Sequence, residues 1–172
     1  MKRNILLFAV LLLVAAGCNR NTKTTEADVK KAEAALFNSD MTTNNEAVPK
    51  AIAVFSKYAE ENAEAANAPE YLFKALEVSV NTKQDAQQSI DLAERLVSAF
   101  PKFDKNPVAL FMLATFVYEE RLGDLDKARE TYQRIIDNYP DSPFASDAEL
   151  SIEHLGMTPE ELIRMFEEAG KE

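Results

Sequence analysis

Cysteine is almost absent from this chain: one residue, Cys18, in 172. A single thiol excludes an intramolecular disulfide, so a fold in an oxidising compartment would rest on packing alone. Glycine is scarce as well, four residues in all, which leaves little room for a loop that cradles phosphate. The one histidine, His154, is expected on the solvent side of Ile152 and Leu155 near a helix C-terminus, where an imidazolium would suit the helix dipole. No Ser, Cys or Lys nucleophile sits in a recognisable motif. Glu60-Glu61, Glu119-Glu120 and Glu160-Glu161 are adjacent pairs, and neighbours on a helix point about 100° apart, so they read as solvated faces rather than catalytic carboxylates or calcium ligands. The inventory argues against an enzyme, a metal site, a cofactor or a small-molecule substrate.

Long apolar runs are lacking too, with one exception. Residues 5–16 are twelve consecutive apolar side chains behind Lys2 and Arg3. Twelve residues rise about 18 Å as a helix, short of the roughly 30 Å hydrocarbon core, and polar Asn19-Arg20-Asn21 follow, so this is a cleavable export signal rather than a membrane span. Val14-Ala15-Ala16-Gly17-Cys18 resembles the lipobox of bacterial lipoproteins, with Ala15 where Leu or Val is usual. The resemblance implies removal of residues 1–17 and acylation of Cys18 on its thiol and new amino group. The alternative, a soluble export signal with an incidental cysteine, leaves a lone free thiol in an oxidising compartment. Two or three acyl chains would hold the protein at a bilayer essentially permanently. Residues 18–25 form the acylated cysteine and a polar tether, of which 19–25 span at most about 25 Å. Asn19 stands where Asp would resemble an inner-membrane retention signal, and no acidic cluster that would resemble a surface-export signal follows Cys18. These resemblances imply the outer membrane, with the body facing the periplasm.

Without Lys2 and Arg3 the chain keeps 17 basic against 29 acidic residues, a formal charge of −12. Nucleic acid and anionic headgroups are therefore poor partners for the bulk of it. Residues 26–172 carry no long Gly, Ser or Pro tract and read as one domain.

Proline sets the organisation of that domain. Pro69, Pro107 and Pro143 each open a helical pattern, while Pro101 and Pro140 each close one, giving a period of 36 to 39 residues. Such a unit is one helix-turn-helix layer that buries its apolar face only against a stacked neighbour. In residues 124–138, Leu125, Ala128, Tyr132, Ile135 and Ile136 share one face, and Tyr139-Pro140 ends it. A shift of 39 places Ala86, Ser89, Ala93, Leu96, Val97 and Phe100-Pro101 on those positions; a shift of 77 brings in Val48, Ala51, Phe55 and Tyr58 without the aromatic-Pro stop. Residues 59–66 are expected to prolong that earlier helix, and Ser89, a small residue at a crossing, to tolerate Ala. The partner helices are expected over 26–38, 69–81, 107–121 and 143–155, with Asn106 and Ser142 as N-caps and 41–45 as a polar loop. Thr158-Pro159-Glu160-Glu161 is a capping box opening a last helix. Its Leu162, Ile163 and Phe166 should face back onto the stack as a terminal cap. The expected fold is all-α: an α-solenoid of about four layers with a C-terminal capping helix.

Leu113-Ala114, Ala128, Tyr132 and Pro140, with the turn Leu122-Gly123-Asp124, resemble the tetratricopeptide repeat, with two residues inserted before the glycine. The layer from Pro69 to Pro101 departs further, with Leu76 where a small residue is usual. The resemblance implies a right-handed superhelix whose first helices line a concave groove. By register that groove exposes Phe73, Glu77, Phe111, Thr115, Tyr118 and Glu119, a mixture of aromatic and acidic groups suited to an extended peptide with basic and apolar side chains. Ordinary interlayer core is the alternative for Phe73 and Phe111. Tyr139-Pro140-Asp141-Ser142-Pro143 and residues 155–163 are similar to small repeat lipoproteins of the Bacteroidota, likened to the β-barrel assembly lipoprotein BamD or the Tol-Pal protein YbgF. That resemblance implies a membrane-anchored periplasmic scaffold for envelope proteins, or else a receptor for unfolded outer-membrane protein or a Tol-Pal-associated factor.

Overall fold

The computed structural model describes residues 23–169. Among these residues the chain forms α1 (Glu26–Ala35), α2 (Val48–Glu61), α3 (Ala68–Asn81), α4 (Ala86–Ala99), α5 (Asn106–Met112), α6 (Leu125–Asn138), α7 (Pro143–His154) and α8 (Pro159–Ala169). Helix α5 runs on as a π-helix over Leu113–Leu122. Consecutive helices from α1 to α7 pack side by side, and α3, α5 and α7, the first helices of successive layers, also touch. The fold is an α-solenoid of helix-turn-helix layers.

One core runs through the stack from Val29 to Ala148. Tyr132, Phe55, Leu76, Leu96, Leu110, Leu113 and Ile135 are its largest fully buried side chains. Ala75, Ala93, Ala109, Ala114 and Ala128 expose nothing, so backbones approach where helices cross. The expected face of α6 is present: Ala128, Tyr132 and Ile135 are buried, and Ile136 packs half-covered against them. Leu125, in the first turn, is 39% exposed.

Side-chain caps account for several boundaries. Asp85 and Asp124 accept from the backbone N–H groups of Gln88 and Lys127, and Ser142 accepts from that of Phe144. Thr158 and Glu161 form the expected reciprocal box. Asn106 is no cap; it is the first residue of α5, fully buried, and its Nδ2 donates to the Phe100 carbonyl at 2.8 Å. Helix α2 is not prolonged to residue 66. It stops because Asn62 leaves helical geometry and its Nδ2 donates to the carbonyls of Tyr58 and Thr24. Helix α1 also ends early, at Ala35; the polar loop beyond it is partly ordered by a bridge between Phe37 and Thr43.

The two residues inserted before Gly123 are taken up by the π-helix. Bonds that reach five residues back give wider turns, so the extra residues fit without lengthening the element. Gly123, at φ 63°, then closes the segment in left-handed geometry.

Interlayer ion pairs recur at repeat spacing: Lys74 with Glu33, Lys105 Nζ with Glu70 Oε2 at 2.6 Å, Arg95 with Glu60 at 3.6 Å and Arg134 with Glu94 at 2.6 Å. Two edges flank the layers. One gathers the turns 62–67, 100–105 and 139–142, tied by Asn67 Nδ2 donating to Glu26 Oε1 at 2.8 Å and by Lys105 on Glu70. At the other, the Arg121 guanidinium donates to the carbonyls of Gln84 and Val80, capping the end of α3. Gly156 lies there at φ 80°, and a Cβ on it would meet Leu125 Cδ1 at 2.8 Å.

Two expectations about the ends need correction. Thr24 and Thr25 belong to the folded body rather than to a free tether: Thr24 is buried, and Thr25 forms a capping box with Asp28. Helix α8 does not close the stack as a covered cap. Ile163 and Phe166 are 59% and 62% exposed, and Phe166 reaches the body edge-on against the half-buried His154, ring centroids 5.9 Å apart. His154 is therefore an inter-helix contact, not a free surface group.

Candidate functional site

The six residues expected to line a groove divide into three groups. Phe73 and Tyr118 are core residues, 5% and 9% exposed. The next layer's turn covers Phe73, placing Phe103 edge-on at 6.2 Å and the Lys105 ammonium 5.3 Å from its ring. Burial, followed by the Glu94 charge, pushes the Tyr118 phenol above its ordinary value. Register along α3 and α5 places these two on the helix flank that meets the neighbouring layer, which spacing alone does not distinguish from the open flank.

Phe111, Thr115 and Glu119 form a cluster on Tyr132 of α6. Phe111 is half-buried between Tyr132 and Phe144, at ring distances of 5.4 and 5.5 Å. The Tyr132 hydroxyl lies 2.7 Å from Thr115 Oγ1 and donates to Glu119 Oε2 at 3.2 Å. Three side chains one turn apart on a first helix are thus held by one second-helix phenol, itself 1% exposed.

Glu77 stands apart on α3. It is half-buried, and burial raises its carboxyl above the ordinary range against the opposing pull of Lys105 and Lys74. The two lysines beside this partly desolvated carboxylate are already engaged, Lys105 by Glu70 and Lys74 by Glu33.

Sequence reasoning missed Phe116, which is 41% exposed. It borders a cleft of about 470 Å³ shared with Val80, Asn81, Lys83, Glu120 and Arg121. The only signal was the two-residue insertion, because π-helical winding rotates side chains away from α-helical register. Cys18 and the lipobox-like residues 14–17 before it lie outside the described residues. Among the described residues no helix is long and apolar enough to cross a membrane.

A family model for the tetratricopeptide repeat matches residues 108–142, which cover most of α5, its π-helical continuation, α6 and the Tyr139-Pro140 turn. No curated protein matches the chain. The stacked layers and this matched repeat define a helical-repeat protein, a class built to bind other proteins.

Proposed function

We propose that this protein is a non-enzymatic interaction scaffold of the bacterial envelope, held at the inner leaflet of the outer membrane by acyl chains on Cys18 and facing the periplasm. The matched tetratricopeptide repeat within a continuous solenoid carries the reading, because its exposed helices offer surface to proteins. The lipobox-like Val14-Ala15-Ala16-Gly17-Cys18 supports the anchor. Its kinship would be with the small repeat lipoproteins of the Bacteroidota. Cross-linking in the native envelope, followed by identification of the trapped chains, tests the scaffold. A folded envelope complex that co-purifies through the cross-link is the expected result; a protein recovered only as uncross-linked monomer contradicts it.

The exposed ring of Phe116 beside its cleft favours a second reading, a BamD-like receptor for extended segments of unfolded outer-membrane protein. A receptor binds short basic and aromatic peptides in isolation, whereas a scaffold ignores them. Fluorescence anisotropy with such peptides separates the two. A Tol-Pal-associated role, as for YbgF-like proteins, would instead recover Tol-Pal components in the same cross-links.

A further inference from the structure

We infer that the edge formed by the turns 62–67, 100–105 and 139–142 is the face this protein turns toward the lipid bilayer. The inference rests on the Cys18 anchor proposed above, together with the point at which the chain leaves the folded body. That point is fixed. The Thr24 N–H donates to Glu61 Oε2 at 2.6 Å, and the Thr24 carbonyl accepts from Asn62 Nδ2 at 3.1 Å. Both partners stand where α2 ends, so the chain departs from this edge.

Tether length then limits the orientation. From Cys18 to Thr24 the backbone takes six steps, and at about 3.3–3.6 Å each these reach about 20 Å when fully extended. Helices α2, α3 and α4 are 14 residues each, or about 21 Å long. Were the opposite edge to meet the membrane, Thr24 would stand a whole helix length above it and the tether would be stretched to its limit. With the near edge down, the tether is slack. Full extension of any chain segment costs conformational entropy, which favours the near edge.

The chemistry of the near edge fits an interface. Pro101 and Pro140 are exposed and offer no N–H to desolvate, and Phe103 and Tyr139 stand half-buried beside them. With Pro107 they line a cleft of about 530 Å³ between successive turns. Aromatic rings of this kind favour the headgroup level of a bilayer. Glu64, Asp104 and Asp141 against Lys102 and Lys105 leave the three turns at a formal −1, and Glu26, Glu61 and Glu70 at the same edge add further negative charge, so it suits a zwitterionic headgroup rather than an anionic surface. The exposed apolar side chains of the opposite edge, Phe37, Met41 and Met157, then face away from the membrane, toward protein partners.

The chain has no tryptophan, so single tryptophans report position without background. The test uses the mature protein purified from membranes and placed in phosphatidylethanolamine and phosphatidylglycerol vesicles that contain brominated lipid. Lys102→Trp and Asp141→Trp report on the near edge, and Asn45→Trp and Met157→Trp on the far one. Quenching of most of the emission at 102 and 141, with little at 45 and 157, is expected. Equal quenching at both edges, or stronger quenching at 45 and 157, overturns the orientation and leaves the anchor standing. The intact mass is read on the same samples: a Cys18 without acyl chains removes the anchor and this inference together.

Discussion

Arg134 on α6 and Glu94 on α4 form a two-bonded ion pair between successive layers, Nη1 to Oε1 at 2.6 Å and Nη2 to Oε2 at 2.9 Å. Forty residues separate them, one repeat in sequence. Their side chains are 38% and 44% exposed, so water screens the attraction. Arg134→Ala is expected to cost no more than about 1 kcal/mol, and less at high salt. Urea melts at two ionic strengths check this. A salt-independent loss of several kcal/mol would show that the arginine acts by packing instead.

Ser79 and Ser89 are fully buried, their hydroxyls 2.8 Å apart between α3 and α4. Ser89→Ala is therefore not silent, as its small-residue position suggested. It leaves the Ser79 hydroxyl with Gln88 at 3.5 Å as its remaining side-chain contact, and a poorly satisfied buried hydroxyl costs about 1–3 kcal/mol. Removing both hydroxyls removes the unmet group, so Ser79→Ala with Ser89→Ala should be more stable than Ser89→Ala alone. Denaturant midpoints of the three variants decide the matter.

Register places Tyr118 in an open groove, where Tyr118→Ala would leave the fold undisturbed. Its burial reverses that expectation. Truncation should cost about 3–5 kcal/mol, the usual loss for a large core ring. Phe116→Ala, at an exposed position, should leave the melting temperature near that of the wild type. Equal melting temperatures for both variants would return Tyr118 to the surface.

Glu77 gives a pH dependence of definite sign. Burial raises its folded carboxyl above the ordinary 4.5, so the folded chain holds the proton more tightly than the unfolded chain. The contribution of Glu77 to stability is therefore greatest below the unfolded value. It is lost as pH rises through the window up to the raised folded value. Glu77→Gln, which cannot ionise, should raise the melting temperature at neutral pH and flatten the profile across that window. An unchanged profile would show that Lys105 and Lys74 offset the burial completely.

Helix positions were largely legible because proline and apolar spacing are backbone constraints that act locally. Pro69, Pro107 and Pro143 lie in first turns, and the Tyr139-Pro140 stop holds. The misjudged features depend on contacts made at a distance. Asn62 ends α2 partly by reaching Thr24, 38 residues away. The Thr25 to Asp28 box was readable in principle, being local, but the polar run around it looked like tether. Which flank of α3 or α5 is covered depends on how closely the layers approach, so Phe73 is buried while Glu77, one helical turn on, is only half-buried. The exposure of Phe116 follows from π-helical winding, of which the sequence carries only an insertion.

The state of Cys18 is the most direct measure of the account, since both the proposed envelope scaffold and its proposed orientation depend on an anchor there. Intact mass and detergent-phase partitioning of the wild-type protein and of Cys18→Ser read it in one experiment. The wild type should begin at Cys18, carry the mass of its acyl chains and enter the detergent phase, while Cys18→Ser should remain aqueous or retain residues 1–17. Identical partitioning of the two proteins, with no acyl mass on the wild type, would contradict it.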